Sequence, residues 1–499
     1  MDATTERAPA AYLSYAEARG VITGILLAMF LAALNQTIVA TALPTIGRDL
    51  QDFENLSWTV TAYLLTSTVV ASLYGKLSDI HGRRAVMLAA IGIFVVGSAT
   101  CALAPNMLTL VLGRALQGLG GGGIMPLAQV VIADVSAPRE RGRYQAIIGI
   151  VWVGAGIGGP VVGGFMAEHL HWSLIFWINV PMGIAAAYLT NAALKSLPRK
   201  DRWHQLDIPG AGLMMCGAMA LLLALTWGGT RYPWGSLPIV WLFALAVAFT
   251  VAFRWRIGRA DEPYLPLPIL RNPVVLTGAA TSACAVGASI GLTVFVPFYY
   301  QLVHKLSVSD SGLALIPIAV MTTPGSIMVG RAMMYLRHYK RVPFVCMSLA
   351  ILAAIWLAVW PNSSPWLVMG ALALIGTGVG SVFPLSTVCI QNAVAAHQMG
   401  TATGVMNFFR ALAASLVVAI MGAIMLAGFG VAADRGRGAE ALIAAGAAAG
   451  DAANVFRWVF AAAAVFLVIG FVALVRLPER PLRGGSGRPE QGAQPRVHP

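Results

Sequence analysis

The chain has 499 residues, of which 58% are hydrophobic and only 11% charged, with a formal net charge of +13 and a mean hydropathy of +0.76. So little charge cannot supply the polar shell of a soluble protein this long, which points to a polytopic membrane protein. Nor does the positive balance read as a nucleic-acid surface, because the Lys and Arg sit in short gaps between apolar runs rather than along one soluble face.

The polar stretch 1–20 carries acids of its own, and the apolar run behind it is too long for a signal-peptide core, so the first helix is expected to stay. Apolar runs of about 20 residues, the length that crosses a bilayer as helix, fall near 20–44, 57–76, 84–104, 107–134, 143–167 and 172–194. Two more lie near 207–228 and 237–256, and six more near 273–302, 311–335, 342–360, 365–393, 402–429 and 453–475. An even count of fourteen puts both termini on one side. That side holds 25 of the 33 Lys and Arg, whereas Arg48, Arg231, Lys305, Arg435, Arg437 and Arg457 lie opposite and Arg114 and Arg410 lie within spans. By the positive-inside tendency the shared side is cytoplasmic.

Span four carries Gly118, Gly120, Gly122, Pro126 and Leu127; span twelve carries Gly376, Gly378, Gly380, Pro384 and Leu385, each 258 positions on, and the same offset takes Gly142 to Gly400. Five matches in register at equivalent places in the span order read as an internal repeat. The plan is then an N-tail (1–19), a six-helix half (20–194), a linker with two extra spans (195–272), a second six-helix half (273–475) and a basic, Pro/Gly-rich C-tail (476–499) expected to be disordered. The loop after span thirteen is alanine-rich and expected to be mobile.

Polar residues inside the spans need partners within the protein, because hydrocarbon supplies none. Asn35, Gln36, Thr37 and Thr41 in span one, Arg114 and Gln117 in span four and Arg410 in span thirteen are therefore candidates to line a central cavity; for Arg410, packing is the competing reading. No carboxylate falls at the middle of any span: Asp134, Glu168 and Asp310 all lie near span ends. The interior field is expected to be positive, suiting a neutral, zwitterionic or anionic substrate. Trp152, Phe295, Phe298, Tyr299 and Tyr300 form a possible aromatic surface, with interfacial anchoring the simpler reading. His169 and His171 flank one residue in an outer loop with no third metal ligand. Five scattered cysteines without a CxxC pair read as small buried hydrophobes. No nucleophile, base and orienting group cluster, and the span-four glycines lack the Lys-Ser/Thr of a phosphate loop, so an enzyme is not expected and no cofactor is implied.

Between spans two and three the chain reads Gly75-Lys-Leu-Ser-Asp79-Ile-His-Gly82-Arg83-Arg84. This resembles the loop signature G-x-L-a-D-r-x-G-r-k of the major facilitator superfamily, at the place where that family carries it. Span five, with Gly154, Gly158, Gly159, Pro160, Gly163 and Gly164, is similar to the glycine- and proline-rich signature of the family's exporters. The start of span six, from Trp172 through Phe176 and Asn179 to Pro181 and Gly183, resembles the corresponding segment of its fourteen-span drug:proton antiporters. The resemblance implies two halves rocking about a cavity, Asp79, Arg83 and Arg84 latching a cytoplasmic gate, and proton-driven export of small organic compounds. It also implies a plasma-membrane protein, functional as a monomer. In the family an acidic residue of span one lies close to the span-four arginine, in a motif similar to L-D-x-T-V-V-x-x-A-L-P. This chain has Leu34-Asn35-Gln36-Thr37-Ile38-Val39 there, so the usual titrating site is absent, and any proton coupling falls to Asp79, Asp134, Glu168 or a substrate's own carboxylate. Weakly coupled or uniport export of a metabolite, lipid or siderophore, or a non-transporting sensor on the same fold, are the alternatives.

Overall fold

The computed structural model describes residues 15–52, 55–195, 206–260, 262–336, 338–429 and 452–479. Residues 1–14, 430–451 and 480–499 lie outside the described residues, so the disorder and mobility expected there are not addressed; the described ends of the two tails, 15–19 and Arg476, belong to the first and last helices. Among the described residues, fourteen long helices follow in order: α1 (Tyr15–Asp49), α2 (Trp58–His81), α3 (Arg83–Ala102), α4 (Met107–Val135), α5 (Pro138–His169), α6 (Asn179–Leu194), α7 (Ile208–Trp227), α8 (Leu237–Ile257), α9 (Pro273–Leu302), α10 (Ile316–Tyr335), α11 (Arg341–Val359), α12 (Pro365–Ala393), α13 (Met399–Gly428) and α14 (Ala452–Arg476). Among the described residues, 13 helices are long and apolar enough to cross a membrane, and α2 is not one of them. Thr59, Thr61, Thr66, Ser67, Thr68 and Ser72 dilute its apolar character.

Local chemistry sets several boundaries. Asn106 accepts the Thr109 N–H at 2.9 Å and caps α4, and Asn272 accepts the Val274 N–H at 3.0 Å and caps α9. The segment expected as a loop from Gly75 to Arg84 is almost wholly helix. α2 runs on to His81 and α3 starts at Arg83, and the turn between them is one glycine, Gly82, at φ +87°, a backbone region that suits a residue without Cβ. The sixth span is interrupted, with a single turn at Leu174–Trp177 before α6.

The two largest buried cores among the described residues lie one in each half. Met29, Tyr63, Met87, Phe94 and Ile148 pack in one, within α1–α6; Leu292, Tyr299, Met347, Leu372 and Phe456 pack in the other, within α9–α14. α7 and α8 pair with each other, and α7 also lies against α2 and α13. The glycine repeat now has a physical reason, since water does not drive helices together in lipid and close van der Waals contact must. A Cβ on Gly118 or Gly122 would strike the α2 backbone at Tyr63 or Ser67, and one on Gly120 would strike α3 at Phe94. In the second core, Gly376 and Gly380 meet α10 at Ile318 and Thr322, while Gly378 meets α11 at Cys346. α4 and α12 are thus wedged in the same manner between two neighbours each. Of the cysteines, Cys101, Cys346 and Cys389 are buried as expected, whereas Cys284 is half-buried and Cys216 is exposed on α7.

Candidate functional site

Two features stand out: a seam where the two bundles meet, and a polar network around a buried arginine in each bundle, Arg114 and Arg410.

The seam is built on glycine. Gly75 of α2 and Gly400 of α13 touch so closely that a Cβ on Gly75 would lie 2.2 Å from the Gly400 carbonyl oxygen. Gly142 of α5 and Gly330 of α10 do the same, with 2.6 Å from a Gly330 Cβ to the Gly142 oxygen. At the first crossing Asp79 spans the seam. Its Oδ1 accepts from the Gly400 N–H at 3.1 Å, and its Oδ2 accepts from the Thr401 N–H at 2.8 Å and the Thr401 hydroxyl at 2.9 Å. These N–H groups belong to the first turn of α13, whose dipole also favours an anion there. Arg83 backs the carboxylate: Nη1 donates to Asp79 Oδ1 at 2.6 Å and Nε to Asp134 Oδ2 at 2.9 Å. Arg84 turns away from the seam and donates to Asn191 of α6 at 2.7 Å. Deeper in, Asn407 of α13 donates to Gln129 Oε1 of α4 at 2.9 Å, and Gln391 of α12 donates to the Gln129 carbonyl at 3.2 Å.

In the first bundle the arginine of the polar network is Arg114, 1% exposed; Arg141 of α5, also buried, lies at the end of α4 and donates to the Ala133 carbonyl at 2.7 Å. Arg114 Nε donates to the Thr59 carbonyl at 2.8 Å and its Nη1 to Gln117 Oε1 at 2.6 Å. The guanidinium lies over the Tyr63 ring, 4.4 Å from the centroid, an arrangement worth up to about 2 kcal/mol when desolvated. Gln117 carries the chain onward, its Nε2 donating to Asn35 Oδ1 at 3.0 Å and to Ser98 at 2.7 Å. Asn179 donates to the same Asn35 oxygen at 3.3 Å. No described carboxylate pairs with Arg114. Three buried atoms around it have no hydrogen-bond partner: Asn35 Nδ2, the Tyr63 hydroxyl and Asn179 Oδ1.

Arg410 repeats the theme in the second bundle. It is 4% exposed, lies 4.1 Å from the Phe383 ring centroid, and donates to Ser282, to Thr387 at 3.1 Å and to the Phe383 carbonyl at 3.3 Å. It too has no described carboxylate partner. Asn407, which reaches across the seam to Gln129, accepts from it at 3.5 Å.

The remaining candidates scatter. Gln36 is half-buried beside Tyr63. Thr37 and Thr41 do not present free hydroxyls to a cavity: Thr37 donates to the Ala155 carbonyl of α5 at 2.8 Å, and Thr41 to the Ile38 carbonyl at 3.0 Å. Both fill the notch made by Gly159 and Gly163, where an added Cβ would fall 2.0 Å from Thr37 Oγ1 or 2.4 Å from the Ile38 oxygen. Gly154 makes only an ordinary contact with Phe30, a Cβ on Gly158 or Gly164 would meet nothing, and Pro160 is exposed. Within the span-five signature, close packing therefore rests on Gly159 and Gly163. Trp152 lines a crevice of about 230 Å³ with Ser289, Thr293 and Thr322, whereas Tyr299 and Tyr300 are buried and Tyr299 is bonded to the Pro361 carbonyl at 2.6 Å. Glu168 and Asp310 are exposed. His171 lies 3.5 Å from the Asp49 carboxylate, which the Trp172 indole also meets at 2.6 Å. Thr59, Tyr63, Ser98, Gln129 and Thr401 were not among the candidates read from the sequence; the only signal they offer is polarity in or next to an apolar run.

Two helical bundles joined by a glycine seam with an ionic latch, each enclosing a buried polar network among helices long and apolar enough to cross a membrane, are the architecture of a membrane transporter. The Major Facilitator Superfamily profile matches residues 25–418, and the chain belongs to that family. It is 35% identical over 412 residues to the multidrug transporter protein MdtP of Bacillus subtilis, covering 81% of this chain and 75% of that one. It is 33% identical to the efflux pump FUS6 of Gibberella fujikuroi, covering 81% and 74%. Among solved structures, the human organic anion transporter MFSD10 superposes with a TM-score of 0.63 at 16% identity, covering 92% of this chain and 99% of that one. The proton:xylose symporter XylE superposes with a TM-score of 0.61 at 12% identity, covering 93% and 95%. These two likenesses establish the fold alone.

Proposed function

We propose that the protein is a secondary exporter of drugs or other small organic compounds that works by alternating access. One observation carries the reading: the bundles meet at Gly75–Gly400 and Gly142–Gly330 through bare backbone, and at the first crossing a carboxylate, Asp79, sits on a helix N-terminus. Such a seam is tight yet separable, as a gate must be, and the efflux names of the relatives agree with it. In this reading the halves are 20–194 and 273–475, α2 crosses as the fourteenth span, and both termini face the cytoplasm of a plasma membrane. The 24-residue length of α2, its packing between α4 and α13, and the bias of 25 of 33 Lys and Arg to one side support that arrangement. The unit of function is the monomer, since each bundle closes its own core.

Coupling is the point on which the chain departs from its family. Asn35 holds the place of the acid and an amide does not titrate, so a proton carried by antiport must ride on another carboxylate, with Asp79 and Asp134 on the latch the best placed. The same observation favours a second reading, uniport or weakly coupled export. Flux of a compound panel from vesicles containing the purified protein, with and without an imposed pH gradient, tests both. Export of at least one compound above protein-free vesicles is expected; no flux of any compound overturns the exporter reading.

A further inference from the structure

The Arg114 network is short of negative charge and has hydrogen-bond donors to spare. Arg114, Gln117 and Asn35 are each almost fully buried, and among the described residues the Arg114 cation is met by carbonyl oxygens and by the Tyr63 and Phe176 rings, with no carboxylate. The side-chain amides of Asn35 and Gln36 point hydrogen-bond donors toward the Tyr63 oxygen, but neither the Tyr63 hydroxyl nor the Asn35 Nδ2 has a partner at full hydrogen-bonding geometry, and Asn179 Oδ1 is an unpaired acceptor in the same network. A buried donor left unmade costs about 1–3 kcal/mol, and a buried cation without a counter-ion costs more. Two idle donors and one uncompensated cation gathered in one corner are complementary to a single chemical group, a carboxylate, which accepts several hydrogen bonds and supplies the missing charge. Gln36, on the next position of α1, is half-buried.

We propose that the corner formed by Asn35, Tyr63 and Arg114 binds the carboxylate of an organic-anion substrate, whose charge takes the place that an acidic side chain of α1 would fill. This deepens the exporter reading and rests on it for the word substrate; the binding site stands without it. Arg410, also without a carboxylate, adds a second positive centre rather than a competing anion. The Asn35 oxygen already takes the amides of Gln117 and Asn179, so the side chain is held with its nitrogen turned away from them, toward the unpaired corner.

The test uses the full chain in detergent and three probes of matched shape: 2-naphthoate, 2-naphthamide and 2-naphthylmethylammonium. Binding is read from intrinsic tryptophan fluorescence and from the shift of the unfolding midpoint. The parent should bind the carboxylate at least tenfold more tightly than the amide or the ammonium. Asn35→Asp, which supplies an internal carboxylate at nearly constant volume, should lower naphthoate affinity at least tenfold at pH 7, and Tyr63→Phe should lower it severalfold. Equal affinity for the three probes in the parent overturns the site, as does undiminished naphthoate binding by Asn35→Asp. If Asn35→Asp does not fold, unchanged naphthoate binding by Tyr63→Phe overturns it instead. Charge-selective binding without flux of any compound from vesicles would remove the exporter reading and leave the anion site standing.

Discussion

Gln117 faces Asn35 across the α1–α4 contact with its amide nitrogen forward, 3.0 Å from the Asn35 oxygen, while its own oxygen takes the Arg114 guanidinium at 2.6 Å. The glutamine thus relays the polarity of the arginine to position 35. An acceptor is needed at that position, and either an amide or a carboxylate provides one; only the carboxylate also balances the charge and takes up a proton. Asn35→Asp should therefore add a pH-driven component to export. Flux under an imposed pH gradient is expected to rise severalfold over the parent. Unchanged flux would place coupling elsewhere, on Asp79, Asp134 or the substrate.

The latch makes a separate prediction. Asp79→Asn keeps the shape but loses the charge that faces the α13 N-terminus and Arg83. A hydrogen bond to a charged group contributes about 1.5–3 kcal/mol, so the seam should open roughly tenfold to a hundredfold more often. A single cysteine placed at Thr401 should then react correspondingly faster with a water-soluble maleimide. Reaction at the parent rate would mean that the glycine contacts alone hold the seam.

Gly75→Val probes those contacts. The Cβ would meet backbone, the Gly400 carbonyl oxygen at 2.2 Å and its carbon at 2.8 Å, and backbone does not swing aside as a side chain does. The closed seam should become inaccessible, and transport should fall at least tenfold. Because α2 is free to move as the bundles part, the unfolding midpoint should fall by far less than in Gly120→Val, where the obstruction lies inside one bundle against α3. Equal losses of stability would show that the seam is a permanent interface.

How much of this was legible in the sequence follows from what each level demands. A bilayer requires every backbone group to be satisfied within the span, so helices must run at least the width of the hydrocarbon, and apolar runs mark them directly. The glycine repeat was legible for the same reason, because close helix approach in lipid has few chemical solutions. The α2–α3 connection was not: Gly75 to His81 is polar enough to read as loop, yet helix continues there because the α13 N-terminus and Arg83 satisfy Asp79. The hydroxyls of Thr37 and Thr41 were expected to face a cavity, but a threonine in a helix finds a carbonyl one turn back, and the pattern does not show which way it turns. Ser98 and Asn179 come from α3 and α6, with no spacing rule linking them to Arg114. Only packing brings them together.

A pH effect on stability is expected outside the spans, at His304. Burial lowers the pKa of its imidazole below the usual 6.5, and its Nε2 meets the Tyr299 hydroxyl at 3.0 Å. With the folded value below the unfolded one, the unfolded chain takes up more protons between the two, so stability rises with pH there. The contribution is fully present above about 6.5 and is lost as pH falls toward the folded value. The unfolding midpoint should drop on acidification from pH 7.5 to 5, and the drop should be smaller in His304→Gln. Identical pH profiles for parent and variant would show that other groups dominate this range.

The last prediction concerns what drives an anion outward when position 35 holds no proton. Moving one elementary charge through 100 mV is worth about 2.3 kcal/mol, which corresponds to roughly a fiftyfold concentration ratio. In a cell that is negative inside, that energy favours the exit of a negative substrate and opposes the exit of a positive one. A carboxylate riding on Arg114 would thus need no exchanged proton, and the family's acid at position 35 would be dispensable. In vesicles with the termini facing the lumen, an inside-negative potassium diffusion potential should accelerate efflux of 2-naphthoate, and reversing the potential should slow it. A pH gradient at zero potential should have little effect on the parent. If the pH gradient drives naphthoate and the potential does not, substrate and proton move together as an electroneutral pair, and the proton carrier is to be sought at Asp79 and Asp134.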